Sequence, residues 1–131
     1  MLNDNDIDLL EDIIDCILKI IVSTKRLKYY YFEINHEKIS TVERQLHIIG
    51  EASKKISKET RDNYNTIPWV SMIGLRNRIA HEYGDILIER LWYISKESIP
   101  KLLQELNKID ELKEYIKQEK KKIRKNEIYV I

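Results

Sequence analysis

The chain has 131 residues, with 23 Lys and Arg against 22 Asp and Glu, for a formal net charge of +1. Apolar residues make up 43% and charged residues 34%. This is too apolar for a disordered chain and too charged for a membrane protein, and no run of about 18 apolar residues offers a transmembrane span. The length predicts one domain, residues 1–131, closing a single core.

A lone cysteine, Cys16, excludes an intramolecular disulfide framework and a Cys-rich zinc site. The N-terminus is acidic (Asp4, Asp6, Asp8, Glu11, Asp12, Asp15), the opposite of a signal peptide, so a cytoplasmic setting is expected. Three glycines and two prolines leave room for long helices.

The apolar period is helical from the start. Ile7, Leu10, Ile14, Ile17 and Ile21 recur every three or four residues as one stripe, with Asn3, Asp4 or Asn5 placed to cap it. A polar segment at residues 33–37 separates this from a second stripe of Val42, Leu46, Ile49, Ser53 and Ile56, and Ser40 with Glu43 has capping-box spacing. A loop is predicted over residues 62–66. Pro68 then opens a short helix through Val70, Ile73 and residues 76–80, which Gly84 and Asp85 end.

The last stripe runs Ile88, Leu91, Ser95, Leu102, Leu106, Ile109, Leu112, Ile116, and Pro100 should kink or divide it. No strand alternation of useful length and no repeat interrupts this pattern. The fold class is therefore all-α, an antiparallel bundle of four to five helices. Its broad Ile-rich faces predict a homodimer that covers them.

Charge is unevenly spread. The first fifteen residues hold six acids and no base, whereas residues 113–125 hold seven bases and two acids. Either the two form complementary helix faces, or the Lys-rich extension from about residue 113 attracts phosphate.

The segment with most chemistry is residues 74–85, GLRNRIAHEYGD. Arg76 and His81 are five residues apart, about 140° around a regular helix. Their convergence on one face would need the helix to loosen at His81. The bland reading makes His81 a helix C-cap, Tyr83 a packed phenol, and Arg76 or Arg78 an ion-pair partner of Glu82 or Asp85.

The order Arg76, four residues, His81, one residue, Tyr83 resembles the signature of the HEPN superfamily in its HepT-like toxin branch. Further matches stand in order: Val42-Glu43-Arg44, Ile48-Ile49-Gly50-Glu51-Ala52, Ile67-Pro68-Trp69, Ile73-Gly74, Arg76-Asn77 and Trp92. The resemblance covers roughly residues 7–115. Gly84 directly after the tyrosine departs from the pattern, and the Lys-rich extension has no counterpart in it.

The resemblance implies an all-α, HEPN-like, usually dimeric ribonuclease that cleaves RNA without metal or other cofactor. It implies a toxin encoded beside a small MNT-type nucleotidyltransferase antitoxin, which attaches AMP to the motif tyrosine, here Tyr83. The chemistry is consistent with that. RNA carries its own nucleophile in the 2′-hydroxyl, so cleavage needs proton transfer and a positive clamp on the phosphate. Histidine and arginine supply these, with Arg76 and His81 as the catalytic pair and Asn77, Tyr83 and Arg44 as phosphate-binding candidates. His36, His47 and His81 show no metal-ligand spacing. One His per motif suggests that two copies meet across a two-fold axis.

Other residues carry less. Arg44 and Glu51 share a face of the second helix and either flank the cleft or form a surface or intersubunit ion pair. Residues 29–32 (YYYF) resemble a base-stacking platform but fit helix-end packing better. Trp69 and Trp92 are expected in the core, His47 at the surface, and Cys16 as a small core residue. The alternative function is a non-catalytic helical adaptor that binds the nucleotidyltransferase or a nucleotide.

Overall fold

The computed structural model describes residues 1–81 and 87–129, and of residues 76–81 and 127–129 it describes the backbone alone. Helix α1 (Asp4–Thr24) is capped by Asn3, whose side chain accepts the Asp6 N–H at 2.7 Å. Leu10, Ile13, Ile14, Ile17 and Ile20 are almost wholly buried, and Cys16 and Leu18 join them. The single predicted stripe is therefore too narrow. α1 is covered on several sides, by α3 (His36–Lys55), α7 (Ile99–Leu106) and α8 (Asp110–Tyr129), while Ile7 and Ile21 sit half-buried at its edges.

Two short helices interrupt the predicted connections. α1 ends at Thr24, and a four-residue helix α2 (Tyr29–Phe32) precedes the polar segment. Helix α4 (Lys58–Asn63) occupies the start of the predicted loop, capped by Ser57, whose hydroxyl accepts the Thr60 N–H. The capping box at Ser40 and Glu43 does not form. Asn35 caps α3 one turn earlier, accepting the Lys38 N–H at 3.1 Å, and the extra turn buries Ile39. The second stripe is buried at each of its five positions.

Helix α5 (Trp69–His81) starts directly after Pro68, and the Trp69 indole donates to the Tyr64 carbonyl at 3.1 Å. Helix α6 (Ile88–Tyr93) leads without a break into α7 through a π-helical stretch at Ile94–Ser98. Pro100 explains the widening. It has no N–H to give and its ring clashes with the carbonyl four residues back, so the Ile99 N–H bonds to Ile94 instead. The predicted division becomes a widened turn.

Successive long helices run antiparallel. Ser53 near the end of α3 meets Met72 near the start of α5, and Thr66 just before α5 donates to Glu105 near the end of α7 at 3.1 Å. α8 closes the bundle beside α1 and parallel to it. The Leu2 N–H donates to the Glu111 carboxylate at 2.9 Å, and the Tyr115 hydroxyl to Asp15 at 2.6 Å. Burial, then the Asp15 hydrogen bond, raises the Tyr115 pKa well above the usual phenol value. The architecture is an all-α bundle, with no strand among the described residues.

The Lys-rich segment belongs to α8, whose Leu112 and Ile116 are buried. The ion pairs of its lysines among the described residues are local, Lys113 with Asp110 and Lys122 with Glu119, both at 3.0 Å. Where α8 meets α1, Glu119 as well as Lys122 lies near the acidic stretch of α1. Glu11 is raised in pKa by burial, then by the charges of Asp8, Asp15 and Asp12 on its own helix and of Glu119 on α8. Among the described residues no helix is long and apolar enough to cross a membrane.

Candidate functional site

The signature residues are delivered by α5, which packs along α3. Ser53 and Met72 meet at that contact, where the Ser53 hydroxyl lies 3.9 Å from the Met72 sulfur. α5 is α-helical as far as His81, and residues 82–86, over which a loosening would continue, lie outside the described residues. In that register Arg76 and His81 are about 7.5 Å apart along the axis and about 140° apart around it. The helix does not bring the two onto one face within one chain. Asn77 and Arg78 lie on the same helix. The side chains of Arg76, Asn77, Arg78 and His81, and all of Tyr83, Glu82, Gly84 and Asp85, lie outside the described residues.

Arg44 is exposed on α3 and Glu51 is half-buried on the same helix. Seven residues of helix separate them by about 10 Å, so they do not pair with each other within the chain. His47 is half-buried rather than exposed. Cys16 is buried, and burial pushes its thiol up to about 11, which makes it a packing residue and a poor nucleophile.

The aromatic run divides. Phe32 is fully buried and its ring lies 5.1 Å from that of Trp92, with Tyr29 edge-on to Trp92 at 6.1 Å. Tyr30 and Tyr31 are exposed and lie against each other at 4.5 Å. Trp69 is in the core as expected, whereas Trp92 is only half-buried. Its face is covered by the Lys96 ammonium at 5.2 Å, which also donates to the Thr24 carbonyl at the end of α1.

Between α5 and the α6–α7 segment lies a cleft of about 520 Å³ with α3 as its floor. Leu46 and Ile49 form that floor, Gly74 and Leu75 one wall, and Arg90 and Ile99 the other. A Cβ at Gly74 would meet nothing within 4 Å. Sequence patterning missed this cleft and Arg90, because neither has a local signal. Arg90 sits on a helix of six residues and reaches the cleft only through the tertiary arrangement. Among the described residues no three His, Cys, Asp or Glu group as a metal ion would require.

The model of the family described as "Ribonuclease HepT-like" matches residues 11–109, which ends just before α8. The Methanocaldococcus jannaschii protein named "Putative RNase MJ1380" is 41% identical over 98 residues, 74% of this chain and 89% of that protein. A second from the same organism, "Putative RNase MJ1216", is 38% identical over 101 residues, 76% of this chain and 83% of that protein. "Probable ribonuclease HepT" of Thermococcus cleftensis is 34% identical over 102 residues, 78% of this chain and 93% of that protein. No solved structure matches the chain.

Proposed function

The chain belongs to the HepT-like ribonuclease family, and on that premise we propose that it is an RNA endonuclease working without a metal. The observation that carries this reading is the family match together with an intact Arg76–His81 pair on one continuous helix. The substrate supplies the nucleophile. The 2′-oxygen attacks the adjacent phosphorus, its proton passes to an imidazole, and the P–O5′ bond breaks as the leaving oxygen gains a proton. The products are a 2′,3′-cyclic phosphate and a 5′-hydroxyl. Arg76 clamps the phosphate oxygens with its planar fork, and Asn77, Tyr83 and Arg44 bind the flanking phosphate groups.

The working unit in this proposal is a homodimer. Proton removal and proton donation need two groups, and each chain's motif offers one histidine. The 140° register between Arg76 and His81 favours a cleft assembled from two copies of α5 over a face within one copy. Val70 on α5 and Leu87 just before α6, 85% and 68% exposed, are apolar residues for a partner to cover. Light scattering at micromolar concentration should give twice the chain mass. A monomer that still cleaves RNA would remove the shared cleft.

The biological role proposed is that of a toxin held in check by an MNT-type nucleotidyltransferase antitoxin. That enzyme would join the Tyr83 oxygen to the α-phosphorus of ATP and release pyrophosphate. The attached phosphate would then occupy the place of the RNA phosphate beside Arg76. The test of the core reading is incubation of the purified chain with RNA and EDTA. Fragments ending in 2′,3′-cyclic phosphate support it. Cleavage that stops with the chelator and returns with added divalent metal overturns metal independence.

A further inference from the structure

The cleft between α5 and α6–α7 is not explained by the chemistry above, which needs only Arg76, His81 and their neighbours. Three of its properties point to one class of ligand. Its floor and walls are largely apolar, and its volume of about 520 Å³ is within the usual range for small-molecule sites. Arg90 lines it, and among the described residues that guanidinium has no carboxylate partner. Gly74 leaves its wall open where any other residue would project a side chain.

An apolar slot lined by one cation that has no carboxylate partner among the described residues suits a molecule that is flat and apolar at one end and anionic at the other. A nucleotide has that form. Gly74 and Leu75 immediately precede Arg76 on α5, so the cleft and that arginine are within about 3 Å of axial rise, with Arg76 turned about 100° round the helix from Leu75. A nucleotide in the cleft would reach the proposed phosphate site round α5 rather than along one face.

We propose that this cleft holds the base of an RNA nucleotide adjoining the cleaved phosphodiester, with that nucleotide's phosphate toward Arg90. The proposal rests on the ribonuclease reading. It makes Gly74 and Arg90 substrate-binding positions outside the Arg–His–Tyr signature. Base preference next to the cut site follows from the walls of the cleft, and the Ser71 and Ser98 hydroxyls that line it can address base edges.

The test measures binding apart from cleavage. In a His81→Ala background, which keeps RNA intact, the affinity of a short single-stranded RNA is compared with that of an abasic ribose-phosphate oligomer of equal length. Gly74→Leu should weaken RNA binding about 10-fold or more and leave the abasic oligomer unaffected. Gly74→Ala should raise Tm, because alanine favours the helix and its methyl meets no neighbouring atom within 4 Å. Arg90→Ala should weaken both oligomers and lower the slope of affinity against salt by about one.

Unchanged RNA affinity in folded Gly74→Leu overturns the proposal. So does a fall to half the mass in light scattering, which would assign the cleft to a second copy of the chain. If Gly74→Leu does not fold, Arg90→Ala decides, and an unchanged salt slope counts against the cleft. Absence of cleavage by the wild-type chain would remove the ribonuclease reading while the binding comparison still stands by itself.

Discussion

Asp6 and Thr60 lie 54 positions apart in the chain, and the Thr60 hydroxyl donates to the Asp6 carboxylate at 2.6 Å. The same carboxylate accepts the Ser57 hydroxyl, the Ser57 N–H at 3.1 Å and the Asn3 amide at 3.2 Å. Asp6 is 1% exposed. It ties the start of α1 to the corner between α3 and α4 and so sets how α1 lies along α3.

Asp6 therefore controls acid stability. Burial alone would raise its pKa, but the hydrogen bonds from Ser57, Thr60 and Asn3 together hold it below the ordinary aspartate value. A carboxyl depressed in the folded state stabilises the fold above its unfolded pKa, and that contribution is lost as pH falls through the folded value. Asp6→Ala should cost about 2–3 kcal/mol at neutral pH, since it orphans several donors at once. It should also flatten the loss of stability on acidification. Denaturant melts at neutral and acid pH check both points, with exposed Asp8→Asn as a control expected within about 0.5 kcal/mol of wild type.

Much of the bundle could be read from apolar spacing. Val42 to Ile56 and Leu91 to Ile116 are buried where a 3.6-residue period puts them. What the spacing missed depended on tertiary partners. Asp6 looked like one more acid suited to a helix N-terminus, and only the fold brings Ser57 and Thr60 to it. Helix α4 is too short to show a period. Ser40 and Glu43 met a capping rule that Asn35, one turn earlier, satisfied first. The signature residues themselves were found by resemblance, because helical register sets Arg76 and His81 on different sides of α5.

The proposed mechanism gives the phosphate to Arg76 and not to Arg78. Arg76→Lys keeps the charge and loses the two-pronged geometry that fits a phosphate, so the cleavage rate should fall substantially. Arg78→Lys should cost less. Single-turnover rates on one RNA compare them, and a larger loss in Arg78→Lys would transfer the phosphate clamp to Arg78.

Tyr83 is the proposed point of control. Co-expression with an MNT-type nucleotidyltransferase, the class proposed as antitoxin, should add whole AMP units to the intact mass, and Tyr83→Phe should abolish the gain. A gain that persists in Tyr83→Phe would place the modification on another residue and remove this route of inhibition.

The central claim is that His81 moves the proton that lets RNA cut itself. The measurement that tests it most directly is the cleavage rate of His81→Ala beside wild type on the same RNA with EDTA present, after circular dichroism has shown equal helix content and light scattering equal mass. The rate should fall by about 10²–10⁴-fold. A folded His81→Ala protein that cleaves as fast as wild type would contradict the account.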